Sequence, residues 1–158
     1  MPDAKDQLKD QEINARNILQ VKINQENKVL AASKSKSKRI TKDNMNELGK
    51  MVKEFIQNKA MSPDLSDWTD TTINKKPYRI SKGIISLQND RGTTYHKYIE
   101  VQNELVKAFN EIRDEAASYL YGGRTFAELD ADQQNTIKDI VPIMISEAEP
   151  REIDLNKK

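Results

Sequence analysis

Residues 84–120, IISLQNDRGTTYHKYIEVQNELVKAFNEIRDEAASYL, join a short apolar run to a long helical pattern through a turn. The run at 84–87 has the aliphatic and β-branched side chains of a strand. Residues 89–92, Asn-Asp-Arg-Gly, are strong turn formers that end it. Apolar side chains then recur at spacings of three and four from Tyr98 until Gly122, which predicts one long amphipathic helix with a glycine at its C-terminal end.

Three elements are predicted before this unit. Residues 18–23 alternate apolar and polar side chains at the period of two that a half-buried strand requires, and a second short strand follows at 28–31, so the two form a hairpin. Apolar side chains at spacings of three and four between 45 and 56 predict a helix, with capping side chains at 41–43.

Two polar stretches carry no such pattern. The serine and lysine run at 33–39 predicts a solvated loop, because it has no aromatic side chain to stack on bases and no glycine to cradle phosphate. Residues 58–76 predict an inserted polar loop in which Trp68 packs on the domain surface. Strand character returns at 78–80, either continuous with 84–87 or separated from it near Gly83.

The chain beyond the long helix predicts a short helix and a closing strand. Thr125 and Glu128 have the spacing of a capping box, and Asp130 can cap a helix that runs through Ile140. Residues 141–146 then form the closing strand, with an acidic tail after it.

The order of elements predicts a two-layer α/β (α+β) sandwich, with a mixed sheet of four to five short strands and two main helices on one face. Residues 1–15 form a flexible lead-in, residues 16–149 form the domain, and residues 150–158 form a tail. The 58–76 segment is an insertion within the domain.

Composition excludes several kinds of chemistry. The 158 residues include 26 Lys and Arg against 25 Asp and Glu, no cysteine and one histidine. Thiolate nucleophiles, disulfides and sites with several histidines are therefore ruled out, and a net charge of +1 gives no general attraction to nucleic acid. His96 is expected in a surface or packing role, and Glu111, Asp114 and Glu115 on a solvated helix face. We predict no catalytic, cofactor-binding or metal-binding residue.

Residues 80–105 resemble the periplasmic domain of the ExbD/TolR family of biopolymer transport proteins, in the form found in Bacteroidetes-type bacteria. The matching features are the apolar run at 84–87, the pair Asp90-Arg91, and Tyr95 opening the helix. Residues 17–30 are similar to the first hairpin of that family, and residues 140–147 to its closing strand.

This resemblance implies a single-pass inner-membrane protein whose periplasmic domain belongs to a proton-driven motor. The motor subunit would pair with an ExbB-like channel subunit through a preceding transmembrane helix that is missing here, and would energise a TonB-like protein for outer-membrane transport. It implies no cofactor, no enzymatic activity and a homodimer.

The candidate partner-binding residues come from the expected edges of the sheet, where an unpaired strand can accept another. They are Leu19, Val21, Ile23, Ile143, Met144 and Ile145. Two alternatives stay open: a TolR-like envelope tether or gliding-type motor accessory, and a soluble ligand-binding α/β module.

Overall fold

The structure, a computed structural model, describes residues 15–33, 37–40, 44–90 and 92–148. The strands are β1 (Ile18–Ile23), β2 (Val29–Ala32), β3 (Ser37–Ile40), β4 (Trp68–Ile73), β5 (Lys76–Ser81), β6 (Ile84–Asn89) and β7 (Ile145–Ala148). The helices are α1 (Met45–Gln57), α2 (Tyr95–Leu120) and α3 (Ala131–Ile140), with 3-10 turns at Ala15–Asn17 and Phe126–Glu128.

Strand β1 lies at the centre of a five-stranded mixed sheet of order β3-β2-β1-β6-β7. It pairs antiparallel with β2 on one side and parallel with β6 on the other, and β6 pairs parallel with β7. Parallel neighbours need a crossover connection, which α1 and the β4-β5 hairpin provide before β6, and α2 and α3 before β7. Strands β4 and β5 form a separate two-stranded sheet.

The helices cover one face of the sheet, as the sequence predicted. Leu19, Val21 and Ile23 are at most 1% exposed, whereas Gln20 and Lys22, which point to the opposite face, are exposed. The buried face joins the apolar stripes of α1 and α2 in one core. Burial of this kind stabilises the fold by roughly 1.5 to 3 kcal/mol for each large aliphatic side chain. The predicted α+β sandwich with a mixed sheet is therefore confirmed.

The predicted helix ends agree with the structure where residues are described. Thr94 caps α2 by accepting a hydrogen bond from the Lys97 amide at 3.2 Å, and Asp130 caps α3 by accepting one from the Gln133 amide at 2.8 Å. Gly122 and Gly123 follow α2 with φ of 74° and 85°, where glycine is favoured. The caps predicted at 41–43, the lead-in at 1–14 and the tail at 150–158 lie outside the described residues.

Two predicted loops were wrong in part. Ser37–Ile40, within and just beyond the serine and lysine run, forms β3, because its backbone pairs with β2. Trp68–Ile73, within the polar insertion, forms β4, which turns into β5 through Asn74 and Lys75 with φ of 50° and 64°. Strand propensity of the side chains is weak in both, so cross-strand pairing decides their structure.

The closing strand also begins later than predicted. Helix α3 continues to Ile140, and the Val141 amide still donates to the Ile137 carbonyl at 2.8 Å. Pro142 follows, and the strand starts only at Ile145. The predicted strand at 141–146 therefore overlaps β7 by two residues.

The connection between α1 and β4 is attached to the domain by buried polar groups. The Asn58 side-chain amide donates to the Ser66 carbonyl at 2.8 Å, and the Ser66 hydroxyl donates to the Phe55 carbonyl at 2.7 Å. The Asp67 amide in turn donates to the Asn17 side chain at 2.7 Å. Asn58 and Ser66 are each 1% exposed, and buried polar groups with these partners order the segment. The polar residues of this predicted loop are therefore partly buried and hydrogen-bonded to the domain here.

Gly83, between β5 and β6, leaves no room for a side chain. An added Cβ would lie 2.8 Å from the Phe55 ring, 2.9 Å from Ile56 Cδ1 and 2.9 Å from Ser66 Cβ. We therefore expect Gly83→Ala to lower the free energy of unfolding by about 1 to 3 kcal/mol, measured by guanidinium denaturation.

Gly49→Ala is the matched control. Its Cβ would meet the flexible carboxylate of Glu104 at 2.9 Å, and alanine is favoured over glycine within a helix. An equal loss of stability in both variants would contradict the packing described around Gly83.

Candidate partner-binding edge

The structure rejects one of the two predicted edges. Strand β1 has a hydrogen-bonded neighbour on each side, so its backbone has no free edge. Leu19, Val21 and Ile23 point into the core and are at most 1% exposed. The prediction that these three residues bind a partner at a sheet edge is therefore wrong.

The second predicted edge is present. Strand β7 pairs only with β6, at the end of the sheet, within the described part of the chain. Ile143 and Met144, each 37% exposed, lead into it, and the side chain of Ile145 packs partly against the core. The structure thus brings together Ile143, Met144 and Ile145 at one edge, and their role in partner binding stays a prediction.

The hydrogen-bond ladder fixes which backbone groups of β7 face outward. The Ile85 amide donates to the Met144 carbonyl at 2.8 Å, and Ile85 and Ile145 are register partners. In a parallel ladder the residue between two bonded neighbours turns its own amide and carbonyl to the other side. Ser146 therefore bonds to β6, whereas the amides and carbonyls of Ile145 and Glu147 point outward. We call this outward side of Ile145–Ala148 the β7 edge.

The opposite end of the sheet is formed by β3, which is chemically different. Lys38 and Arg39 are exposed, and the Lys38 ammonium lies 3.3 Å from the Glu47 carboxylate on α1. Cationic side chains on an edge strand discourage pairing with another chain. Among the strands that the structure describes, β7 is therefore the better candidate for strand addition.

Helix α2 is hydrogen-bonded to β7 through the exposed side chain of Glu147. The Gln102 side-chain amide donates to one Glu147 carboxylate oxygen, and the Tyr98 hydroxyl also bonds to Glu147. Burial, followed by this hydrogen bond and the negative charge, raises the pKa of Tyr98 to about 12. The sequence predicts Tyr98 on the apolar stripe of the long helix and Glu147 directly after the strand at 141–146, and nothing in their separation along the chain indicates this contact.

The structure also places the other charged groups that the sequence singles out. His96 is exposed, and no cluster of three His, Asp or Glu side chains suited to a metal occurs in the described ranges. Glu115 is not merely solvated: although burial opposes it, hydrogen bonds from Lys53 and Gln57 lower its pKa. These contacts join α1 to α2. Asp114 accepts a hydrogen bond from the Phe126 amide at 2.9 Å.

Comparisons with models of protein families, with curated proteins and with solved structures find no match to this chain. The resemblance to the ExbD/TolR family therefore depends on the motifs and on the order of elements. Within the described residues, no helix has the length and apolar character needed to cross a bilayer.

The raised pKa of Tyr98 makes stability depend on pH. The unfolded phenol ionises near pH 10, whereas the native one keeps its proton until about 12. The native state thus binds more protons in this window, so the free energy of unfolding should fall as pH rises from about 10 to 12. Tyr98→Phe should reduce that slope, measured by denaturation at several pH values.

Glu147→Gln provides the control, because it removes the negative charge that helps to raise the Tyr98 pKa and keeps the length of the side chain. The Tyr98 ring, followed by carbon NMR, should then titrate at lower pH. An unchanged titration would show that Glu147 does not contact Tyr98 in solution.

Proposed function

We propose that this chain is the periplasmic domain of an ExbD/TolR-type motor subunit and that it acts by binding protein partners rather than by catalysis. The observation that carries the proposal is the β7 edge, the outward side of an edge strand that has no neighbour among the described residues and that follows exposed Ile143 and Met144. The motifs at 84–87, Asp90-Arg91 and Tyr95 support the family assignment. The mixed sheet with its helices on one face agrees with the fold that the resemblance implies.

Strand addition supplies the binding mechanism. An extended segment laid along β7 would exchange main-chain hydrogen bonds with the outward groups of Ile145 and Glu147, while Ile143 and Met144 offer apolar contact. Main-chain bonding gives affinity to any extended chain, and the side-chain contacts give selectivity. The proposed occupants are a second copy of the domain, which makes a homodimer, and a segment of a TonB-like protein.

The remaining partners follow from the family assignment. An ExbB-like channel subunit would contact a transmembrane helix that precedes this domain, and proton transfer would take place in that helix. The domain itself would transmit force between the membrane and the TonB-like protein in the periplasm. It would have no contact with the transported substrate.

Two other functions are compatible with the same edge. A TolR-like tether of the cell envelope or a gliding-type accessory would use strand addition with a different partner. A soluble ligand-binding module would not require a membrane anchor. The full coding sequence of the gene distinguishes the motor subunit from the soluble module. The motor proposal requires an upstream apolar run of about 20 residues with one aspartate, and the soluble module does not.

The strand-addition step predicts the behaviour of two substitutions at one position. Glu147→Pro removes an outward amide without removing a bond to β6, whereas Glu147→Gln keeps that amide. Both lose the carboxylate that contacts Tyr98. Analytical ultracentrifugation over a range of concentrations should show weak dimers for the wild type and for Glu147→Gln, and monomers for Glu147→Pro.

Equal dimerisation of the two variants would place the contact away from the β7 edge. Monomeric wild-type protein at millimolar concentration would contradict the homodimer. Thermal unfolding of each variant shows whether the proline has disturbed β7 itself.

A further inference from the structure

The β4-β5 hairpin is attached to the rest of the domain at both ends. At its tip, the Asn74 side-chain amide donates to the Leu120 carbonyl at 2.7 Å, and the Tyr119 hydroxyl donates to the Pro77 carbonyl at 2.8 Å. At its base, the hydroxyls of Ser66 and Ser81 lie 2.9 Å apart. The hairpin therefore crosses over α1 and α2 and is held by hydrogen bonds at both of its ends.

A groove of about 840 Å³ lies between this hairpin and the two helices, and we call it the hairpin groove. Its apolar lining includes Tyr78, Ile112, Ala116 and the ring of Tyr119. Pockets of this size that combine apolar walls with a few polar groups are typical of small-molecule sites. The tyrosine rings lie 6.5 Å apart, which leaves an aromatic surface at the tip end of the groove.

Arg79 also lines the groove, and its guanidinium is incompletely hydrogen-bonded within the described structure. Its guanidinium carbon lies 4.8 Å from the centre of the Trp68 ring, and its Nη1 atom is buried with no hydrogen-bond acceptor among the residues that the structure describes. A buried charged donor with no acceptor is costly to the unliganded protein. Asp70 is the cross-strand partner of Arg79, yet within the described structure the two side chains form no ion pair within 4.0 Å.

The other charged groups near the groove leave a carboxylate site open. Glu115 is already paired, with the Lys53 and Lys59 ammonium groups near its oxygens. The Lys76 ammonium, 5.3 Å from the centre of the Tyr119 ring, adds a positive charge at the tip end. A ligand carboxylate would therefore find a guanidinium whose Nη1 atom has no acceptor in the described structure, and the acidic residues that line the groove are Asp70 and the paired Glu115.

We propose that the hairpin groove binds a ligand with an apolar or aromatic body and a single carboxylate. The body packs against Tyr78, Ile112 and Ala116, and the carboxylate accepts hydrogen bonds from Arg79. Because Nη1 is buried, we expect the guanidinium to turn away from Trp68 when it donates hydrogen bonds to the ligand. Binding then replaces a contact with the Trp68 ring by a charge-assisted pair.

The same chemistry has two sources, a free carboxylic acid and the C-terminus of a peptide. The free acid is tested with 3-phenylpropionate, and the peptide with Ala-Ala-Phe. Each probe has a neutral counterpart of nearly the same shape, 3-phenylpropanamide and the peptide C-terminal amide. For each probe, the affinity of the acid is divided by the affinity of its own amide. The probe with the larger ratio identifies which kind of carboxylate the groove prefers.

Trp68 is the only tryptophan of the chain, so its fluorescence reports directly on the movement of Arg79. We expect each acid that binds to change the Trp68 emission and to shift the amide resonances of Tyr78, Arg79 and Ala116. The neutral amides should bind about tenfold more weakly or worse, because they lose a charge-assisted hydrogen bond.

Three variants complete the test. Arg79→Gln should bind acid and amide equally, and Asp70→Asn should bind the acids more tightly, because it removes the opposing charge. Arg124→Gln changes an exposed arginine outside the groove and should bind as the wild type does.

A second, smaller cavity of about 30 Å³ also borders Arg79 and has room for a water molecule, which could satisfy the guanidinium instead. In that case neither acid would bind better than its amide, and the proposal would be overturned. Full acid binding by Arg79→Gln would overturn it too. If Arg79→Gln does not fold, the acid-to-amide ratio in the wild type and in Asp70→Asn still decides.

Discussion

The two-sided pairing of β1 is the constraint on which the rest of this domain depends. Its three inward side chains, Leu19, Val21 and Ile23, are buried because β2 and β6 occupy both flanks and the helices cover one face. A strand in this position satisfies its backbone groups within the sheet, so it can be apolar without creating an aggregation-prone edge. The two edge strands of this sheet are therefore β3 and β7.

These edges differ in what surrounds them. Basic side chains occupy β3, whereas β7 follows exposed Ile143 and Met144. Strand β7 is also held to α2, because Tyr98 and Gln102 form hydrogen bonds with Glu147. A fixed strand with free outward groups is preorganised to accept another strand, since little conformational entropy is lost on binding. The hairpin groove lies beside a different part of the fold, the β4-β5 hairpin, so the proposed strand binding and the proposed ligand binding would use separate groups.

Much of this fold could be predicted from local sequence patterns. Alternation identified β1 and helical spacing identified α1 and α2, because in these elements the side chains that create the pattern also form the core. Position within the sheet could not be predicted, since the alternation in β1 is the same whether one flank or both are paired. The partner-binding prediction failed for Leu19, Val21 and Ile23 for this reason.

The missed strands have a common physical cause. Trp68–Ile73 is polar along most of its length, and its Asn74-Lys75 turn requires positive φ at both residues without the glycine that usually signals such a turn. Ser37–Ile40 has one buried side chain, Ile40, and depends on β2 for its structure. Strand β4 supplies part of the lining of the hairpin groove, so local sequence patterns gave no sign of this groove.

Amide hydrogen exchange of the monomer, read residue by residue along β7, tests the central claim of a free strand edge most directly. The ladder predicts alternation: slow exchange for Ser146 and Ala148, whose amides bond to β6, and fast exchange for Ile145 and Glu147, whose amides point outward. The amides of β1 should be among the slowest in the domain. Equal protection of all four β7 amides in the monomer would show that this edge is covered, and would contradict the account.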